Sequence, residues 1–184
     1  AVGVYEQERN RARSRILNEN RLEATTKLEE LQFEAEKLPW DQRAAHFQAG
    51  ANALKADLDK RTGSDSALKD AFASDWGQLY LPRNSQVKFS ARKGEIDHNV
   101  AVLDQSTTVF ARQAAQASDP REAQFIKDQA ALSIADAQQG GFLTEVEAGD
   151  RLRGFARGVE RNRARALIES DPSMGLKSLQ DTGQ

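Results

Sequence analysis

The stretch Phe89-Ser90-Ala91-Arg92-Lys93-Gly94-Glu95-Ile96-Asp97-His98-Asn99-Val100-Ala101-Val102-Leu103, continuing through Thr107, Phe110 and Ala114 to Ala117, decides the fold class. Phe89, Ile96, Val100, Leu103, Thr107, Phe110, Ala114 and Ala117 fall at spacings of seven, four, three, four, three, four and three, with Lys93 in the skipped position. Alternating threes and fours place these residues along one stripe of an α-helix, whereas a half-buried strand would alternate every second residue. A helix over 83–117 would be on the order of 50 Å long at about 1.5 Å per residue. The expected fold is therefore all-α: an elongated bundle of long amphipathic helices with coiled-coil-like seams.

The same pattern extends in both directions from this stretch. Upstream, Leu17, Ala24, Leu28, Leu31, Ala35 and Leu38 form a seam over residues 7–38, interrupted at Arg21, and Pro39 ends it. Trp40, Ala44, Phe47, Ala51, Leu54 and Leu58 predict a second helix over 40–61, whose many alanines let a neighbour approach closely. Gly63, Ser64 and Asp65 supply a stop and a new start. Leu68, Phe72, Trp76 and Leu79 mark a helix over 65–80, closed by the Leu81-Pro82 step. Trp40, Trp76 and Tyr80 then read as fillers of bundle corners.

Downstream, Asp119-Pro120-Arg121-Glu122 is an N-cap, a first-turn proline and a glutamate placed for a capping box, opening a helix over 120–139. That helix carries apolar residues on two faces, with Ala123, Ile126, Ala130 and Ala137 on one and Phe125, Leu132 and Ile134 beside them, which predicts contact with two neighbours. Gly140-Gly141 stops it, and Thr144 with Glu147 starts a helix over 145–169 bearing Val146, Leu152, Phe155, Val159, Ala166 and Leu167. Asp171-Pro172 opens a last helix over 172–180. One hexapeptide repeats: Glu8-Arg9-Asn10-Arg11-Ala12-Arg13 recurs as Glu160-Arg161-Asn162-Arg163-Ala164-Arg165. Shared Arg and Ala bias accounts for this, and a duplicated helical unit is the alternative.

Composition narrows the chemistry. The 184 residues carry a formal net charge of −2, which disfavours nucleic acid or an anionic membrane as a bulk electrostatic partner. There is no cysteine, so disulfides, thiolate metal sites and cysteine nucleophiles have no residue to form them. His46 and His98 have no metal ligand three or four residues further on. No apolar run reaches the roughly 18 residues of a membrane span. With Met174 as the sole methionine, the chain reads as a piece of a longer one.

Two candidate sites merit naming. Arg153, Arg157, Arg161 and Arg165 recur every four residues and read as one basic helix face, solvated or used against a protein partner. Glu169-Ser170 is similar to the Glu-Ser helix end of lytic transglycosylases, but a catalytic acid needs a water-poor cleft to raise its pKa. With Asp171 capping beside it, an ordinary helix end accounts for the pair. No catalytic, cofactor or metal residue is assigned, and no cofactor is expected. The candidate helix-packing residues are Leu17, Leu28, Leu31, Phe47, Leu54, Phe89, Ile96, Val100, Leu103, Phe110, Phe155 and Val159.

The junction Gln138-Gln139-Gly140-Gly141-Phe142-Leu143-Thr144-Glu145-Val146-Glu147-Ala148 and the run from Ala166-Leu167-Ile168-Glu169-Ser170-Asp171-Pro172 to Leu176 resemble helical regions of tailed-bacteriophage virion proteins, the internal or ejection proteins and tail-associated proteins. In these a glycine-led Leu-Thr-x-x-Glu-Ala helix start precedes a long helix ending in a Leu-Ile-x-x-Asp-Pro turn. The resemblance implies a non-enzymatic structural module of a virion, packing with itself as a homo-oligomer or with neighbouring virion proteins, and acting in genome delivery. Two alternatives stand beside it: the helical part of a peptidoglycan-degrading tail or ejection enzyme, and a cytoplasmic bacterial coiled-coil adaptor.

Overall fold

The structure is a computed structural model and describes residues 2–171; the expected helix over 172–180 lies outside the described residues. Among them the fold is all-α, with five helices and no strand: α1 (Val2–Lys37), α2 (Trp40–Arg61), α3 (Ser66–Gln116), α4 (Pro120–Gln139) and α5 (Glu145–Ser170). The chain divides into two compact units, residues 1–95 and 96–184, and α3 contributes to both.

In the first unit α1 and α2 form an antiparallel hairpin, and the N-terminal part of α3 runs back alongside α1. Their shared core holds Leu28, Phe47, Leu58, Phe72 and Val87, all fully buried, with Ala24, Ala35 and Ala51 between them and Leu17, Leu31 and Leu54 packed against its edge. Trp76 and Tyr80 belong to this core. Tyr80 stacks on both Phe47 and Trp76, with ring centroids 5.9 Å apart in each case, and Phe72 tilts against Trp76 at 6.2 Å. Such contacts add to the large area that aromatic rings bury. Trp40 is half-buried near Gly94, where any side chain would place its Cβ 2.6 Å from the Trp40 Cβ. Glycine is what lets α2 and α3 approach at that level.

Polar groups fix the register of this unit. Asp65, just ahead of α3, accepts from the Leu68 N–H at 3.2 Å and receives both the Nε (2.6 Å) and Nη2 (2.9 Å) of Arg13. This arginine pair holds the Asp65 carboxyl below the usual carboxylate range, and the Leu68 amide adds to the effect. Further along, Arg83 joins Glu29 at 2.7 Å, and Arg43 reaches the Ser90 hydroxyl at 2.8 Å.

The two helices expected over 65–80 and 83–117 are one. Pro82 lies inside α3, where its missing N–H and its ring would ordinarily cost about 3 kcal/mol. Two features offset that cost. Trp76, Leu79 and Tyr80 before the proline pack in the same core as Val87 after it. The Arg83 guanidinium also donates to the Leu79 carbonyl at 3.1 Å, beside the gap in the hydrogen-bond ladder.

The second unit combines the C-terminal part of α3 with α4 and α5. Leu103, Ile134, Leu143 and Ala148 form one apolar cluster, with Val100 and Ala137 against it. Ala111, Ala114 and Val159 form another, with Ile126 and Phe155 against it. Asp119 caps α4 by accepting from the Arg121 N–H at 2.8 Å, one residue earlier than a capping box requires. Thr144 and Glu147 do make a reciprocal box at the start of α5. The Thr144 N–H donates to Glu147 at 2.8 Å and the Glu147 N–H to the Thr144 hydroxyl at 3.2 Å. The first of these bonds holds the Glu147 carboxyl below its ordinary range. Gly141, at φ 71°, turns the chain between the helices in a conformation that L side chains rarely adopt.

Candidate interaction surfaces

Three assignments of packing residues change. Phe89 is 71% exposed, while Val87 is fully buried. Around Phe89 the buried and half-buried positions of α3 are Arg83, Asn84, Val87, Ser90, Ala91, Gly94, Glu95 and Ile96. The covered stripe passes through Val87, Ser90 and Ala91, and Phe89, about 200° around the helix from Val87, lands on solvent. In α1 the interrupted seam position is Asn20, fully buried, and not the exposed Arg21. On α5, Val146 (71% exposed), Leu152 and Leu167 face outward, and the packed stripe is Ala148, Phe155 and Val159. Leu17, Leu28, Leu31, Phe47, Leu54, Val100, Leu103, Phe155 and Val159 lie in or against the cores, and Ile96 and Phe110 are half-buried.

Asn20 donates from Nδ2 to the Leu58 carbonyl at 3.3 Å, and its Oδ1 has no hydrogen-bond partner. A single buried asparagine in an apolar seam costs stability and favours the one alignment in which its amide is bonded. Here that alignment sets α1 against the end of α2.

Four residues at about 100° each overshoot a full turn by roughly 40°, so the arginine series drifts about a third of the way around α5 from Arg153 to Arg165, all four exposed. Arg153 pairs with Asp150 on its own helix at 2.5 Å. Arg161 and Arg165 have turned far enough to line a groove between α3 and α5, of about 680 Å³, which Arg157 does not reach. Gly154 and Gly158 are among its lining, and a Cβ at Gly158 would come 3.5 Å from the Ala111 Cβ. At one end Arg151 grips Asp104 through Nε (2.9 Å) and Nη2 (3.2 Å). The Thr107 and Thr108 hydroxyls are spent on carbonyls of their own helix. The lining thus holds the guanidinium groups of Arg151, Arg161 and Arg165 together with the carboxylates of Asp104 and Asp150.

Comparison with protein-family models, curated proteins and solved structures finds no match. The surface must therefore be read from its own residues. No group of three or more metal-ligating side chains gathers among the described residues, and no described helix is long and apolar enough to cross a membrane. Glu169 and Ser170 lie exposed at the end of α5, with the Ser170 hydroxyl on the Leu167 carbonyl at 3.2 Å.

The most informative surface is the outward face of α4. Of the second set of apolar residues expected on this helix, Ile134 is buried in the core, but Phe125 is 63% and Leu132 56% exposed. They stand seven residues apart, two helical turns, on the side away from Ala123, Ala130 and Ile134. Two neighbours were expected for α4, and the described chain covers only one face. Val102 and Val109 repeat the pattern on α3, again seven apart and both exposed.

Proposed function

We propose that this chain is a non-enzymatic helical assembly module, and that the outward face of α4 receives a further helix. The observation that carries this reading is the heptad-spaced, solvent-facing pair Phe125 and Leu132 on a helix whose opposite face is already packed. Single exposed apolar residues are ordinary, but a Phe and a Leu repeated at the helical period form the pattern of a packing face. The resemblance of the Gly140-Gly141 and Asp171-Pro172 junctions to virion proteins supports a phage particle as the assembly, with neighbours drawn from the same particle.

The test uses the absence of native cysteine. Leu132→Cys introduces a single thiol, and Gln48→Cys on an exposed α2 position serves as the control. In the dilute isolated chain both thiols should alkylate at similar rates. In the assembled particle the thiol at 132 should be protected while that at 48 reacts as before. Equal alkylation of both in the particle would sink the reading.

A further inference from the structure

The residues flanking Phe125 and Leu132 show what the face fits. Arg121, Asp128, Gln129 and Asp136 share the outward side of α4 with them, and all four are exposed. Neither the Arg121 guanidinium nor the Asp136 carboxylate takes part in a described ion pair. These residues have a symmetry of their own. Phe125 and Leu132 are centred midway between Asp128 and Gln129, and Arg121 and Asp136 are centred on the same point. Reversing the helix about that point exchanges Phe with Leu and exchanges the cation with the anion.

We infer that the occupant of this face is a second copy of the same chain, its α4 lying antiparallel across a twofold axis between Asp128 and Gln129. This rests on reading the face as a docking surface and adds the identity of its partner. In a twofold interface each contact occurs twice. Phe125 then packs on the partner's Leu132, and Arg121 meets the partner's Asp136 at both ends of the seam. At the centre the two Asp128 carboxylates, each also accepting from its own Gln124 amide at 2.8 Å, lie on one edge of the seam and the two Gln129 amides on the other, so one like-charge contact there opposes the two Arg121–Asp136 pairs. A parallel pairing would instead put Arg121 beside the partner's Arg121 and Asp136 beside the partner's Asp136, like charges at both ends. Charge thus selects orientation, while the apolar pair supplies the attraction. One helix face per protomer is small against the surface that stable dimers bury, so the dimer is weak and dissociates on dilution.

Sedimentation equilibrium of the full chain over a concentration series tests this. The wild type should show a reversible monomer–dimer equilibrium, and Phe125→Glu with Leu132→Glu should abolish it. Both positions are exposed in the monomer, so circular dichroism should show unchanged helix content. Arg121→Glu alone, or Asp136→Arg alone, should weaken dimerisation about tenfold by setting like charges together at both ends. The two combined should restore it. A wild type that stays monomeric at every concentration overturns the inference, as does association that ignores Phe125→Glu, or a combined variant no better than the single ones. Protection of the thiol at 132 in the particle together with a monomeric isolated chain would mean the face is used by a different helix. Absence of both would remove the face itself.

Discussion

The two units solve the same packing problem with different side chains. The first fills its three-helix core with Phe47, Phe72, Trp76, Leu28 and Leu58, and stacks Tyr80 between two of the rings. The second packs mostly alanine, at Ala111, Ala114, Ala123, Ala130 and Ala148, around Leu103, Ile134, Leu143 and Val159. Phe125, Leu132, Val102 and Val109 stand outside it. Alanine lets helices approach closely but removes little area from water per residue, whereas each large buried side chain contributes about 1.5–3 kcal/mol. Both units also leave large apolar residues in solvent, Leu22, Phe33, Leu81 and Phe89 on the first and Phe125 and Leu132 on the second; what differs is the size of the side chains inside.

The strongest challenge to this contrast is a charge placed in the thinner core. Leu103→Asp buries an unpaired carboxylate among Ile134, Leu143 and Ala148, and should cost several kcal/mol. The second unit should unfold at lower temperature, seen by calorimetry as a split or broadened transition. An unchanged single transition would mean Leu103 does not anchor that core. Phe72→Ala in the first unit should cost about 3–5 kcal/mol by chemical denaturation, because the rings around it cannot collapse into the space.

Gly94→Ala is a finer probe, since two effects oppose each other. Alanine favours a helix interior by about 1 kcal/mol over glycine. Its Cβ would, however, sit 2.6 Å from the Trp40 Cβ, an atom fixed close to its backbone, and overpacking of that kind costs about 1–3 kcal/mol. A net loss of stability is expected. A gain would show that α2 and α3 can separate at that level without cost.

The smallest effect is expected from pH. The carboxyls of Asp65 and Glu147 are held below their ordinary range in the folded chain, so their contribution is present above about pH 4 and lost as pH falls below it. Asp65→Asn and Glu147→Gln should each lower the thermal midpoint at neutral pH and flatten its decline on acidification. A decline as steep as the wild type's in both variants would contradict these roles.

Most of the helix inventory was legible because the terminators are local. Pro39, Gly63, Asp119-Pro120, Gly140-Gly141 and the Thr144–Glu147 box act through groups within a few residues, so sequence alone places them. Pro82 misled because what outweighs it is not local: a core shared with α1 and α2, and Arg83 reaching the Leu79 carbonyl. Phe89 misled because Val87, two residues earlier, is the apolar residue that the first core takes, and hydrophobicity alone does not choose between them. Asn20 escaped notice because the gap between Leu17 and Ala24 can be filled at either 20 or 21, and only the bond to the Leu58 carbonyl distinguishes them. The docking face was half legible. The pattern showed two apolar faces on α4, but which of them the chain covers depends on how α3 and α5 pack, and no single helix carries that information.

Hydrogen exchange followed through a dilution series tests the central contrast most directly. A face covered only by association is protected in proportion to the bound fraction. Amides of α4 should exchange more slowly as the chain is concentrated, while those of α2, whose Phe47, Leu54 and Leu58 lie in or against the first core, stay unchanged. Exchange in α4 that is independent of concentration, or an equal response in α2, would contradict the account.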